Sequence, residues 1–233
     1  GYTQKAKVDG SKLVPLPKTL TPKQAMVAGT AGFTAMLSVM ALEEHGVAPD
    51  DGEVVVTGAS GGAGSMGITL LGALDYEVVA STGSDDAHDY LRARGADRII
   101  DRSAFEEGPE RPMEKGRWAG ALDAVGGQTL AALIAQLQRH GSVASFGNAA
   151  GHELETSVFP FILRGVNLLG IDSNTCPDDR RRRAWRRLGS ILSADDFEEM
   201  TVRTIGLDDV PVASRELLEE GVRGRIVIDV QNA

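Results

Sequence analysis

The chain is poor in the residues that staple and metallate proteins. It has one cysteine, Cys176, in 233 residues, which excludes an internal disulfide and any multi-cysteine zinc lobe. A reducing cytoplasm is the setting this fits. The four histidines, His45, His88, His140 and His152, show no ligand spacing, so no metal site is expected. Tyrosine is scarce too: Tyr2, Tyr76 and Tyr90 are the three, and none is followed four residues later by lysine. No uninterrupted apolar run approaches the ~18 residues that span a bilayer, and residues 1–12 are too polar for a signal peptide. Positive charge is in deficit, with 24 Lys and Arg against 33 Asp and Glu and a net charge of -9. That argues against a nucleic-acid partner, which needs a basic face. Small anionic ligands, held locally, stay open.

The length allows one large domain, or one domain and part of another, and 42% hydrophobic with 24% charged residues reads as globular. The chain opens on "GYTQKAKV" rather than methionine and reads there as the middle of a strand. The start of the natural protein is therefore expected to lie upstream.

What is present in quantity is glycine, above all in "VVVTGASGGAGSMG", residues 54–67. The stretch satisfies two nucleotide-binding patterns. From Gly58 through Gly62 and Gly64 it has the spacing of short-chain dehydrogenases; from Gly62 through Gly64 and Gly67 it reads G-x-G-x-x-G. In either register glycines let the backbone approach a pyrophosphate at a helix N-terminus. The alternative is a structural tight turn, but the strand before and the helix after supply the context a dinucleotide site requires. The short-chain register fails a further demand, because no Tyr-x-x-x-Lys pair follows and the general acid it would supply does not exist.

The rest alternates in a β-α-β rhythm. Strands are expected over 53–57, 77–81, 98–100, 119–125, 142–146 and 166–171. Helices are expected over 64–74, 85–94 and 129–139, the last two stopped by Gly95 and Gly141. Strands apolar on both faces and joined by helices give an α/β fold, a doubly wound parallel six-stranded sheet. The expected organisation is residues 1–25 as remnant and linker, 26–175 as the dinucleotide-binding domain with a helix to about 195, and 200–233 as a return into the other domain, reading strand, helix, strand. The "GFTAMLSVMAL" helix is apolar almost all round, which points to burial rather than a ligand pocket.

At the end of the second strand an acidic side chain usually holds the NAD ribose. Here the corner is "ASTGSDD", where Ser81, Thr82, Gly83 and Ser84 leave room for a 2'-phosphate. Asp85 and Asp86 read as first-turn helix residues. Arg102, just past the third strand, is the candidate guanidinium for that phosphate. The basic cluster "RRRRAWRR", from Arg180 to Arg187, is either a seat for coenzyme A phosphates or a solvated helix face. Its amphipathic spacing, with Ala184, Trp185, Leu188, Ile191 and Leu192 inward, favours the second. Cys176 has no histidine placed to activate it.

"GTAGFTAMLSVMALEEHGV", "DGEVVVTGASGGAGSMG", "WAGALDAVGG", "FPFILRGVNLLGIDS" and "GRIVIDV" together resemble the zinc-independent quinone-oxidoreductase branch of the medium-chain dehydrogenase/reductases, and most of all its acryloyl-CoA reductase group. The resemblance runs the length of the chain. It implies that a GroES-like catalytic domain precedes the nucleotide domain and that the chain returns to it at the end, so the two flanks are remnants of that domain. It implies NADPH-dependent hydride transfer to an α,β-unsaturated acyl-CoA or a quinone, with no metal, and a homodimer paired through edge strands near 168–171. A catalytically silent NADP-binding domain is the other reading of a chain without the substrate domain. By resemblance the pyrophosphate loop falls on Ser60, Gly61, Gly62 and Ala63, and the 2'-phosphate corner on Thr82, Gly83 and Ser84 with Arg102. Ser84 stands where the family commonly has arginine, which loosens the expected NADPH preference. Thr30 and the strand ends Val125-Gly126, Gly147-Asn148 and Asp172-Ser173 would line the nicotinamide end, with Arg225 reaching in from the final strand. The family's substrate-side tyrosine matches none of the three tyrosines, and no catalytic residue is assigned.

Overall fold

Three consecutive valines with no polar interruption can be buried on both faces only inside a covered sheet, and Val54–Val56 (β1) form its central strand with each side chain fully buried. In this computed structural model, which describes residues 2–219 and 222–231, β1 lies in a parallel sheet with Val78–Thr82 (β2), Arg98–Asp101 (β3), Trp118–Asp123 (β4), Leu137–Ser145 (β5) and Asn167–Gly170 (β6). The order is β3-β2-β1-β4-β5-β6, six strands among the described residues. The chain winds outward from β1 to one edge, then returns and winds to the other. That reversal opens a crevice at the carboxyl ends of β1 and β4.

Helices cover both faces. Gly62–Gly72 (α2) follows β1, and Gly127–Gln136 (α5) follows β4. Pro22–Glu44 (α1) starts with a Thr21 capping box closed by Gln24, with proline at its first position. From Gly32 to Leu42 every α1 residue is buried, against α2 and Asp178–Ile191 (α7). The helix is long and apolar enough to cross a membrane by length and composition alone, yet most of that window is buried inside the protein. The expectation that no uninterrupted apolar run approaches that length holds, because glycine, threonine and serine break this one. Gly29 breaks α1 with φ +50° and ψ -152°, which divides its buried C-terminal part from an N-terminal part that lines a cleft.

Other elements depart from the sequence pattern. The helix expected over 129–139 ends at Gln136, and 137–140 belongs to β5. Leu137 keeps helical spacing from Leu133 and Ile134, but it pairs with Trp118 across the sheet, and that tertiary pairing wins. The 85–94 helix divides into a 3-10 turn, Asp85–Ala87, and His88–Ala93 (α3). A short helix, Ser103–Glu106 (α4), follows β3. No strand forms over residues 2–8, which have no partner strand among the described residues.

Phe159–Arg164 (α6) leads into the edge strand β6, and Ala194–Met200 (α8) follows α7. Thr201–Ile205 (β7) and Arg225–Ile228 (β8) make a separate two-stranded parallel sheet joined by Val210–Glu219 (α9). The strand-helix-strand order expected over 200–233 is seen, although residues 1, 220, 221, 232 and 233 lie outside the described residues. The apolar face of the arginine-rich helix α7 also packs inward as its spacing implies: Ala184 and Leu188 are fully buried, with Trp185 and Ile191 against the same core.

Candidate functional site

The turn after β1 is built for close approach. Gly58 takes φ +58°, and its carbonyl accepts the Gly61 N–H at 3.0 Å, which throws the chain straight into α2. Gly61 is the N-cap with no side chain to close the helix end. Its free N–H groups are left for a ligand anion.

One cleft opens on this turn, and a second lies at the front of α1. The first, of about 380 Å³, is lined by Thr57, Ser60, Thr82, Gly83, Ser84 and Arg102, among others. Pairing of β3 with β2 sets Asp101 opposite Thr82, and the Arg102 N–H donates to the Thr82 carbonyl at 3.1 Å. Arg102 therefore lies across Gly83, where a Cβ would come within 2.6 Å of its Nε. A side chain at position 83 would push the guanidinium out of this place. The same Nε donates to Glu106 Oε1 at 2.8 Å, and Glu106 itself lines the cleft. Asp86 turns away and pairs with Arg223, while Asp85 is exposed and 3.8 Å from His88.

The second cleft, of about 450 Å³, holds Thr30 and Ser173 beside Met26, Phe33, Trp185 and Arg181. The Phe33 and Trp185 rings stack at 5.9 Å and form an aromatic wall. The N-terminal part of α1, before the buried Gly32–Leu42 stretch, lines this cleft through Ala25, Met26, Gly29 and Thr30.

Arg225 lies between Gly29 and Gly62. Its Nε donates to the Val27 carbonyl at 2.9 Å, two residues before the Gly29 break. A Cβ on Gly29 would come within 2.9 Å of its guanidinium, and a Cβ on Gly62 within 2.7 Å. Arg225 is half-buried, and burial pulls its pKa down. A desolvated cation beside a helix N-terminus completes an anion seat.

The remaining candidates shape the turns between strands and helices. Gly126 (φ +71°) caps α5, and a Cβ there would approach Asn148 Cα to 3.2 Å. Gly147 packs its Cα face on Ala124, where a Cβ would sit 2.7 Å from the carbonyl carbon. Asn148 uses its carbonyl to accept the Gly151 N–H, and Ala63 rides in the first turn of α2. Asp172 is exposed and caps its own turn through Asn174, Thr175 and the Thr175 hydroxyl, bonds that hold its carboxyl below the usual range. It does not line either cleft with Ser173.

Pattern reading missed Asp123. This fully buried carboxylate ends β4 and accepts Thr57 Oγ1 at 2.6 Å, Val125 N at 3.1 Å and Gly126 N at 3.0 Å. It ties the turn after β1 to the turn after β4. Its signal was an acid inside the apolar run "WAGALDAVGG". Of the tyrosines, Tyr76 donates to the Val47 carbonyl and burial pushes its pKa up to about 12, while the Tyr90 hydroxyl is buried with no partner among the described residues. Neither lines a cleft.

The sequence matches the zinc-binding dehydrogenase family over residues 62–190. It is 50% identical over 230 residues to the acrylyl-CoA reductase AcuI of Ruegeria pomeroyi, covering 99% of this chain and 69% of that protein. Among solved structures, the Salmonella enterica oxidoreductase yhdH in complex with NADP superposes with a TM-score of 0.93 at 47% identity, over 97% of this chain and 68% of that one. The putative quinone oxidoreductase YhfP of Bacillus subtilis, with NAD bound, gives the same TM-score at 45% identity, over 97% of this chain and 68% of that one. The chain belongs to the medium-chain dehydrogenase/reductases, a family of oxidoreductases, in the branch that holds the acrylyl-CoA reductases and their quinone-oxidoreductase-like relatives.

Proposed function

We propose that the protein is an NADPH-dependent reductase of an activated alkene, with an acryloyl-CoA-like thioester as acceptor and a quinone as the alternative. The observation that carries the reading is the turn after β1: the Gly61 N-cap of α2 has no side chain to close it, Ser60 lines the cleft shared with Thr82, Gly83, Ser84 and Arg102, and the Arg225 guanidinium lies against Gly62. Residue placement fits a dinucleotide. Thr82, Gly83, Ser84 and Arg102 would hold the 2'-phosphate, the loop from Ser60 to Ala63 with Arg225 the pyrophosphate, and Thr30, Gly126, Gly147, Asn148 and Ser173 would bound the nicotinamide end. The bound cofactor supplies a hydride for the acceptor's β-carbon. The chain's task is to fix orientation and exclude water along the aromatic wall. Residues 2–20 and 201–231 belong, in this reading, to a second, substrate-side domain, and the reaction needs no metal. Relatives with these names support the acceptor class.

The test is NADPH oxidation by the full-length protein with acryloyl-CoA and with a benzoquinone. Turnover with either supports the reductase; NADPH binding without turnover on both returns the reading of a silent nucleotide domain. Arg225→Gln is expected to weaken NADPH and NADH alike, about tenfold, because the pyrophosphate is common to both. Loss confined to one cofactor would remove Arg225 from the pyrophosphate.

The 2'-phosphate corner makes a sharper demand. Glu106 competes with the phosphate for Arg102, so Glu106→Gln is expected to tighten NADPH about 2- to 5-fold and leave NADH unchanged. Ser84→Arg is expected to tighten NADPH by about tenfold through a new charge-assisted contact. NADPH and NADH affinities that stay equal in the wild type and in Ser84→Arg would refute the corner.

A homodimer is also proposed. The edge strand β6 leaves Leu168 exposed beside Val158, Phe159, Ile162 and Leu163 of the α6 region, an apolar face next to unpaired backbone. Ile162→Glu is expected to convert a dimer to monomer in sedimentation equilibrium; a monomeric wild type would end the idea.

A further inference from the structure

We propose that Arg181, with Lys12 at the rim, is the anion-binding end of the second cleft and selects a phosphate-bearing acyl thioester over a neutral acceptor. The inference rests on the reductase reading and assigns the residue that recognises its substrate.

Six arginines crowd α7 between residues 180 and 187, and their partners divide them. Arg180, Arg183 and Arg187, at i, i+3 and i+7, share one helix face. They dock on the acidic end of α1: Arg180 on Glu44 at 2.7 Å, Arg183 on Glu44 at 3.1 Å and Arg187 on Glu43 at 2.7 Å. Half of the cluster thus serves helix packing. Arg181 lies about 100° round the helix from Arg180 and shares its face with Trp185, four residues on. Both line the cleft, facing Phe33 and Thr30.

Arg181 forms no ion pair among the described residues. Its side chain makes one long hydrogen bond among the described residues, NH1 to the Lys12 carbonyl at 3.4 Å, and its Nε is buried with no partner among them. A half-buried guanidinium in that state is under-satisfied, and guanidinium donors suit the oxygens of a phosphate. The cleft lining contains Lys12 and Arg181 and no aspartate or glutamate, in a chain whose net charge is -9. An apolar, aromatic slot with two cations at one side fits an amphipathic anion. A neutral quinone would leave both cations unmatched. The phosphates of a coenzyme A thioester would match them while the thioester arm lies along the Phe33–Trp185 wall.

The experiment titrates propionyl-CoA, a saturated thioester that cannot be reduced, into the full-length protein with NADP+ present, by calorimetry and by Trp185 fluorescence. Arg181→Gln is expected to weaken it at least tenfold and to raise the KM for acryloyl-CoA to a similar extent with kcat held. NADPH affinity and the KM for a benzoquinone are expected to stay within twofold. Arg182→Gln is the matched control and is expected to change none of these. Unchanged propionyl-CoA affinity in Arg181→Gln, an equal loss in Arg182→Gln, or an equal loss toward the quinone would overturn the proposal. A wild type that turns over quinone with NADPH but does not bind propionyl-CoA would also overturn it and leave the reductase standing. If NADPH does not bind, the reductase reading falls, while the affinity comparison still decides the anion site.

Discussion

Gly64→Ala is expected to weaken NADPH binding by about 100-fold or more and to lower the Tm by about 5 to 10 °C, the scale of a 2–3 kcal/mol overpacking loss in a chain this size. A methyl at Gly64 would drive into the Gly58 carbonyl oxygen and come within 2.8 Å of Ala59 Cα. Neither can yield cheaply. The Gly58 carbonyl already accepts the Gly61 N–H, and Ala59 is fully buried. Relief requires α2 to back away from the turn, and that withdraws the N–H groups from the anion seat. The neighbouring glycines set an order that a general loss of flexibility would not produce. At Gly62 a Cβ meets the end of the Arg225 side chain, which can swing, and at Gly61 it meets the Gly58 carbonyl oxygen at a tolerable 3.2 Å. Damage to stability is therefore expected to fall as Gly64, Gly62, Gly61, with Gly62→Ala costing affinity more than stability. Calorimetric titration with NADPH and thermal melts of the three variants measure this. Near-wild-type affinity in Gly64→Ala would remove the loop from the cofactor.

The glycine count alone did not reveal which of these positions matters, because spacing counts residues and the clash depends on the turn's three-dimensional path. The strand-helix alternation was legible, since period and apolar runs are local properties. Sheet order follows from them once crossovers are right-handed. Failures came where a distant partner decides. Leu137 leaves its helical pattern for the sheet because Trp118 lies opposite it, and the Trp118 indole N–H donates to Gln136 Oε1 at 3.0 Å at that point. Arg225 was legible as a ligand-side residue but not as the arginine wedged between Gly29 and Gly62, some 163 to 196 positions earlier in the chain. Arg102 was found by its place after β3, yet Glu106, its i+4 partner, went unread although helical spacing alone would have paired them. The second cleft was invisible in sequence because its walls come from residues 12–17, the front of α1 and one face of α7.

Asp123→Ala is expected to destabilise the fold by about 3–5 kcal/mol, since it strands three buried donors at once. Asp123→Asn separates hydrogen bonding from charge. Its amide oxygen can still accept from Thr57 and Val125, but its NH2 group faces the Gly126 N–H, donor against donor, at a cost of about 1–3 kcal/mol. Burial raises the Asp123 pKa, with the bonds from Thr57, Gly126 and Val125 opposing it. The native state therefore holds this proton more tightly than the unfolded chain, whose carboxyl titrates near ~3.9. The stability that follows from protonation is present below that unfolded value and is lost as pH rises through the raised native one. Asparagine carries no such term. The deficit of Asp123→Asn relative to wild type is thus expected to be larger at pH 4 than at pH 7 in denaturant titrations. A deficit that grows with pH would mean that the native state favours the ionised carboxylate. The functional arm follows from geometry, because Asp123 holds both the Thr57 hydroxyl in the first cleft and the Val125-Gly126 turn. Asp123→Asn is expected to lower kcat more than it raises the KM for NADPH, since a misplaced Gly126 turn would disturb the nicotinamide end proposed above while the proposed pyrophosphate seat at α2 stays intact.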